Sequence, residues 1–131
     1  MNISELRQLK DLDREIKYIQ REIQKLEYKL QIGSHMITDM PKNPSKSNTT
    51  ESHIVDLADY KSLLEINNRR YWRLKSDIEN FISSIEDSRM RLIIRLRYVN
   101  NLHWQEIAFE IGSHDESVPR KLHNRFFRKK K

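Results

Sequence analysis

From Leu9 to Leu30 the apolar residues fall at Leu9, Leu12, Ile16, Ile19, Ile23, Leu26 and Leu30, spaced alternately three and four apart. This is a heptad seam, with Leu9, Ile16, Ile23 and Leu30 at a and Leu12, Ile19 and Leu26 at d, and it predicts a helix over about 4–32. Ser4 is the expected cap at its start and Gly33 its expected end. Residues 33–53 are polar, hold two prolines and show no period, which reads as a flexible connection. The pattern returns at Leu57, Tyr60, Leu64, Asn67, Tyr71, Leu74, Ile78, Phe81 and Ile85, again three and four apart. It predicts a second helix over about 54–86.

The charges flanking the two seams choose the pairing. A parallel self-pair of the first helix would set Glu22 against Glu27. Folded antiparallel within one chain, the helices bring Glu27 beside Lys61, Gln20 beside Asn68, Asp13 beside Lys75 and Glu22 beside Arg70, with only Glu15 and Asp77 unfavourable. Exposed pairs of this kind contribute about 0.2–1 kcal/mol each, so they select orientation while burial of the seam supplies stability. Asn67 then lies opposite Ile23 as a polar interruption that fixes alignment. Leu6, Leu63, Ile66, Trp72 and Ile82 fall off the seam, and dimerisation through a four-helix arrangement is the expected way to cover them.

After Ile85 either a third helix starts, capped by Asp87 or Ser88, or the second runs on with a bend, with Met90, Ile93, Ile94, Leu96 and Val99 as apolar positions and Asn100-Asn101 breaking it. The next helix begins near His103 or Trp104. On it Ile107, Ala108 and Ile111 share one face, and Gly112 stands where the chain must reverse in a left-handed conformation. Val118, Leu122 and Phe126 then repeat at four-residue spacing, and Ala108 is small because this last helix crosses close above it. Pro119 is tolerated only within a first helical turn, so the last helix must begin at about Asp115 to Ser117. The pattern reads as a helix-turn-helix. The predicted fold is therefore all-α: an antiparallel long-helix hairpin over 1–86 followed by a C-terminal three-helix helix-turn-helix domain over 87–131.

With its apolar face turned inward, the last helix presents Ser117, Arg120, Lys121, Asn124, Arg125 and Arg128 outward. Arginine offers guanine a bidentate fork and asparagine does the same for adenine, so Arg120 and Asn124 are candidates for base edges. Lys121, Arg125 and Arg128 are candidates for phosphates. The net charge of +6 strengthens this reading once it is divided along the chain. Residues 1–32 carry seven Lys/Arg and six Asp/Glu, 33–53 two and two, 54–86 five and six, and 87–131 eleven and five. The whole excess lies in the last third, where double-stranded DNA is the expected partner.

Other chemistry is poorly supported. The chain has no cysteine, which excludes disulfides, thiolate metal sites and thiol nucleophiles. No Gly-rich phosphate loop and no nucleophile-and-base constellation occurs, so neither an enzyme nor a cofactor is expected. His114, Asp115, Glu116 and His123 cluster locally but match no metal-ligand spacing. Tyr98 and Trp104, at helical spacing, are expected in the core rather than stacked on bases. No apolar run approaches the roughly 18 residues of a membrane span and no signal-peptide h-region opens the chain, so the cytoplasm is the expected location.

The run RLIIRLRYVNNLHWQEIAFEIG resembles the region 4 helix-turn-helix of sigma-70-type factors, and more closely the small sigma-like transcriptional regulators of phages and phage-related islands in Gram-positive bacteria. Leu96-Arg97-Tyr98, Trp104, Glu106-Ile107-Ala108, Ile111-Gly112 and Val118 carry the resemblance. Ile37-Thr38-Asp39-Met40-Pro41-Lys42 after the heptad helix is similar to a motif of the same phage group. Ser113 departs from the pattern, which commonly has an apolar residue after the turn glycine, and so does Pro119. The resemblance implies activation of late or packaging genes through promoter DNA and contact with host RNA polymerase. A second reading takes the long exposed seam, with Asp115, Glu116 and Pro119 in the reading helix, as a protein–protein module that grips RNA polymerase or another regulator with little DNA contact.

Overall fold

The structure, a computed structural model, describes residues 1–37 and 44–129, the side chains of 33–37 and 44–48 excepted. Among the described residues it is all-α. Helix α1 spans Ile3–Ile37, α2 Pro44–Ser83, α3 Ser88–Ile94, α4 Trp104–Glu110 and α5 Ser117–Lys129; a π-helical turn, Arg95–Val99, continues α3. The motif Ile37 to Lys42 lies, beyond Ile37, outside the described residues. Two compact units divide the chain, one gathering Met1–Asp13 with Tyr71–Lys131 and the other Arg14–Arg70.

Both long helices exceed their predicted lengths. Asn2, not Ser4, caps α1: its Oδ1 accepts the Glu5 N–H at 2.8 Å while Glu5 Oε2 accepts the Asn2 N–H at 3.2 Å, a reciprocal capping box. Gly33 does not end the helix, which continues to Ile37. A glycine inside a helix costs only about 0.5–1 kcal/mol relative to alanine, too little to stop a long propagating helix. Pro44 opens α2 at a first-turn position, where its missing N–H breaks no helical bond. Residues 33–37 and 44–53, read from the sequence as parts of a connection, are therefore helical.

In the unit Arg14–Arg70 the seam residues Ile16, Ile19, Ile23 and Leu26 are buried. Lys61 Nζ meets Glu27 Oε1 at 3.8 Å, as the flanking charges predict. Asn67 is buried, 0% exposed. Its Nδ2 donates to Glu15 Oε1 at 3.0 Å and its Oδ1 accepts from Arg70 Nη1 at 3.3 Å. A buried amide needs partners at both ends, and Glu15 and Arg70 supply them. Arg70 bonds Asn67 where Glu22 was expected, and Glu22 pairs with Lys25 at 3.2 Å. Leu63 and Ile66 remain exposed, as expected.

In the other unit one core joins Leu6 and Leu9 of α1, Ile78 and Ile82 of α2, Ile85, Met90, Ile93 and Ile94, Tyr98, and Ile107 of α4. Leu6 and Ile82, expected on the exposed flank of the seam, are fully buried here, in one core with residues of α3 and α4. The core thus crosses residue 86, and the 87–131 segment does not have to supply all of its own apolar burial. At roughly 1.5–3 kcal/mol per buried aliphatic side chain, Leu6, Leu9, Ile78, Ile82 and Ile85 are a large part of what holds the C-terminal helices.

Polar groups fix the joints between helices. Asp87 caps α3 by accepting the Arg89 N–H at 3.1 Å. Arg91 reaches back to the carbonyls of Ile85 and Glu86, and Arg95 Nη2 contacts Glu79 Oε2 at 2.7 Å. In the π-helical turn the Asn100 N–H bonds the Arg95 carbonyl at 3.1 Å, and Asn101 at φ 58° then redirects the chain. Asparagine is among the few residues that tolerate this left-handed conformation.

Candidate nucleic-acid interface

The reversal between α4 and α5 is built by Gly112. Its φ is 79°, the Ser113 N–H bonds the Ala108 carbonyl at 2.8 Å, and the Gly112 N–H bonds the Phe109 carbonyl at 3.1 Å. Those two bonds are the Schellman pattern, which satisfies the last carbonyls of α4 and requires the left-handed residue at Gly112. Ala108 and Ile107 are buried, as expected for the small and apolar positions of a close helix crossing.

Asp115 starts α5. Its Oδ1 accepts the Ser117 N–H at 2.9 Å and the Ser117 hydroxyl at 2.8 Å, and its carbonyl accepts the Val118 N–H at 3.2 Å. The bonds from Ser117 hold the Asp115 carboxyl below its ordinary pKa, with lesser help from Lys121 and Arg120. Pro119 is the third residue of the helix and buried, so its missing N–H leaves no helical bond unmade. The helix begins at Ser117, inside the range that Pro119 imposes.

Of the six predicted contact residues, Arg120, Lys121, Asn124, Arg125 and Arg128 are exposed. Their spacing of three, four, seven and eight places them on one side of α5. Ser117 is different: it is half-buried and its hydroxyl proton goes to Asp115. The opposite side is formed by Pro119, Leu122, His123, Phe126 and Phe127, which are buried or half-buried. Val118 is half-buried as well, but the inward stripe is centred one residue further along than the four-residue repeat Val118, Leu122, Phe126 suggests. Helix α5 carries five basic residues and no acidic one.

His123 is the residue that sequence reasoning missed. Only 4% exposed, it lies within 2.6 Å of the Tyr98 hydroxyl through Nε2 and within 3.0 Å of Asn124 Oδ1 through Nδ1. The rings of Trp104 and Phe127 lie 5.1 and 4.8 Å from its own. Arg97 lies over the Trp104 ring, its guanidinium 4.4 Å from the ring centroid and its Nη1 donating to the Leu102 carbonyl at 3.0 Å. Burial pushes the His123 imidazole below its ordinary 6.5, with Arg97 and Arg7 adding to the shift and the Asn124 bond opposing it. Burial likewise raises the Tyr98 phenol above 10.0. Both groups are neutral near pH 7. The available signal was the 119/122/123/126/127 spacing, which puts His123 on the inward stripe, together with a core tyrosine in need of a hydroxyl partner.

Tyr98 is buried and Trp104 half-buried, as core positions. His114, Asp115 and Glu116 are exposed, and among the described residues no group of three or more His, Asp or Glu side chains is placed to hold a metal ion. No family model matches the chain, and neither a curated protein nor a solved structure does.

Proposed function

We propose that the chain is a DNA-binding transcriptional regulator of a phage or mobile element, acting in the bacterial cytoplasm. In this reading α3, α4 and α5 form a sigma region 4-like helix-turn-helix, with α5 entering the major groove and α1 and α2 pairing as an antiparallel hairpin. The observation that carries it is the single exposed face of Arg120, Lys121, Asn124, Arg125 and Arg128 on a helix that has no acidic residue. Each phosphate neutralised by such a cation releases counterions, so binding must weaken steeply with salt. Replacing Arg120 and Arg125 together by alanine is expected to weaken promoter binding and, if both meet phosphates, to lower the salt slope by roughly 2. A wild-type protein that prefers no promoter fragment of its own element over random duplex at moderate salt sinks the proposal.

Activation of late genes through contact with RNA polymerase, and dimerisation through the long helices, belong to the same reading. Exposed Leu63 and Ile66 on α2 support the dimer. These residues also support the second reading, a protein–protein module with little DNA contact, as does Trp72 at 62% exposure. A stoichiometric complex with RNA polymerase that survives the two arginine substitutions favours that module. Among the described residues no helix is long and apolar enough to cross a membrane.

A further inference from the structure

The bonds around His123 can be assigned by elimination. The buried Tyr98 hydroxyl needs an acceptor, and the His123 Nε2 atom at 2.6 Å is the one it faces. If Nε2 accepts, the neutral ring carries its single proton on Nδ1. Nδ1–H then donates to the Asn124 oxygen at 3.0 Å. In the other tautomer Nε2–H would donate to the phenol oxygen, and the phenol proton would lose the acceptor it faces, at the cost of an unmade buried bond. The Trp104 and Phe127 rings that close around the imidazole also hold it in this orientation.

We infer that Tyr98 and His123 act as positioning residues that lock the Asn124 amide with its oxygen inward and its Nδ2 amino group outward, making Asn124 a donor-only reader. The inference rests on the proposed role of α5 in DNA binding. It also changes what Asn124 can recognise. A bidentate contact to adenine uses the amide oxygen to accept from N6 and the amino group to donate to N7. The oxygen keeps a second lone pair, but its bond to the buried His123 ring turns it away from the groove, so what faces the groove is a pair of N–H donors. These suit acceptor-only edges, the O6 and N7 of guanine or the O4 of thymine, in preference to adenine.

Two measurements on the full chain test this. Nitrogen-15 NMR of the free protein reads the tautomer directly. Nε2 is expected unprotonated and Nδ1 protonated, and Tyr98→Phe is expected to shift the ring toward a mixture of tautomers. Nε2 carrying the proton in the wild type overturns the inference, whatever the protein does with DNA. Selection from a randomised duplex pool then reads specificity. Wild type is expected to prefer guanine or thymine at one position, and Tyr98→Phe to relax that preference by about tenfold while the affinity for random duplex and the salt slope stay unchanged. A wild-type preference for adenine that Asn124→Ala removes would refute the donor-only assignment. Absence of any preferred sequence would sink the DNA-binding reading, while the imidazole spectrum still decides the orientation of the amide.

Discussion

Substituting Tyr98 and His123 singly and together measures the buried bond on which α5 is seated. Tyr98→Phe removes the hydroxyl 2.6 Å from Nε2 and leaves a buried ring nitrogen without a donor. His123→Phe leaves the Tyr98 hydroxyl facing a ring. Each single change strands one buried polar group, at a cost of about 1–3 kcal/mol. The double substitution removes both polar partners and places phenylalanine among Trp104 and Phe127, so its cost should fall well below the sum of the two. The expected coupling is about 1–3 kcal/mol, read from urea unfolding followed by circular dichroism. The pH dependence carries a second signature with a definite sign. The folded His123 pKa lies below its ordinary 6.5, so the unfolded chain binds the additional proton first. Stability from this residue is complete above about pH 6.5 and declines as pH falls through that value toward the lower folded pKa. His123→Phe should flatten that decline. Strictly additive single costs, or a pH profile indifferent to His123, would refute the assignment of a neutral, hydrogen-bonded imidazole.

Two stability predictions follow from the turn and the helix pair. A methyl group added at Gly112 meets nothing within 4 Å, so Gly112→Ala should cost only the left-handed backbone penalty, about 1–2 kcal/mol, in the urea midpoint of the C-terminal helices; a neutral result would mean that the Schellman turn is not formed. Asn67→Leu should raise the thermal midpoint of the Arg14–Arg70 unit, because leucine gains roughly 1.5–3 kcal/mol on burial while Glu15 and Arg70, both exposed, return to water. A lowered midpoint would show that the Asn67 bonds outweigh that burial.

Much of this architecture is legible in the sequence wherever one periodicity decides the outcome. The three-and-four spacing from Leu9 to Leu26 finds the buried stripe of α1, Asn100-Asn101 finds the break, and Gly112 finds the left-handed turn, since few residues other than glycine take that conformation cheaply. The readings that failed depend on competition. Gly33 and Pro44 look like breakers, yet their local penalties are small beside the propagation of a long helix. Ser4 looks like a cap, but Asn2 with Glu5 three residues on forms the reciprocal pair. Leu6 and Ile82 look like exposed residues only while the two long helices are considered alone; the core they join includes residues distant in sequence from Leu6. The His123 site escaped because one histidine on an apolar stripe resembles any other, and only the approach of Tyr98, 25 residues away, gives it a role.

The sign asymmetry of the C-terminal segment follows from how helices are begun. Three of its five acidic residues sit at helix starts: Asp87 accepts the Arg89 N–H, Glu106 accepts the His103 N–H at 3.1 Å, and Asp115 accepts from Ser117. Carboxylates are favoured there because the N-terminal end of a helix leaves N–H groups unpaired and carries a partial positive charge. Three of the arginines, Arg91, Arg95 and Arg97, are engaged in holding α3 and its π-helical turn to the neighbouring elements. What remains is concentrated on α5, whose five basic residues lie beyond the capping aspartate and include Arg128 and Lys129 in the last turn, the end that favours cations. The same rules that stabilise each helix therefore separate the charges, and they leave the outward side of α5 as an acid-free cationic strip. A polyanion approaching this segment meets that strip with three of the five acidic groups already turned to local N–H donors, which is the electrostatic arrangement that the DNA-binding proposal requires.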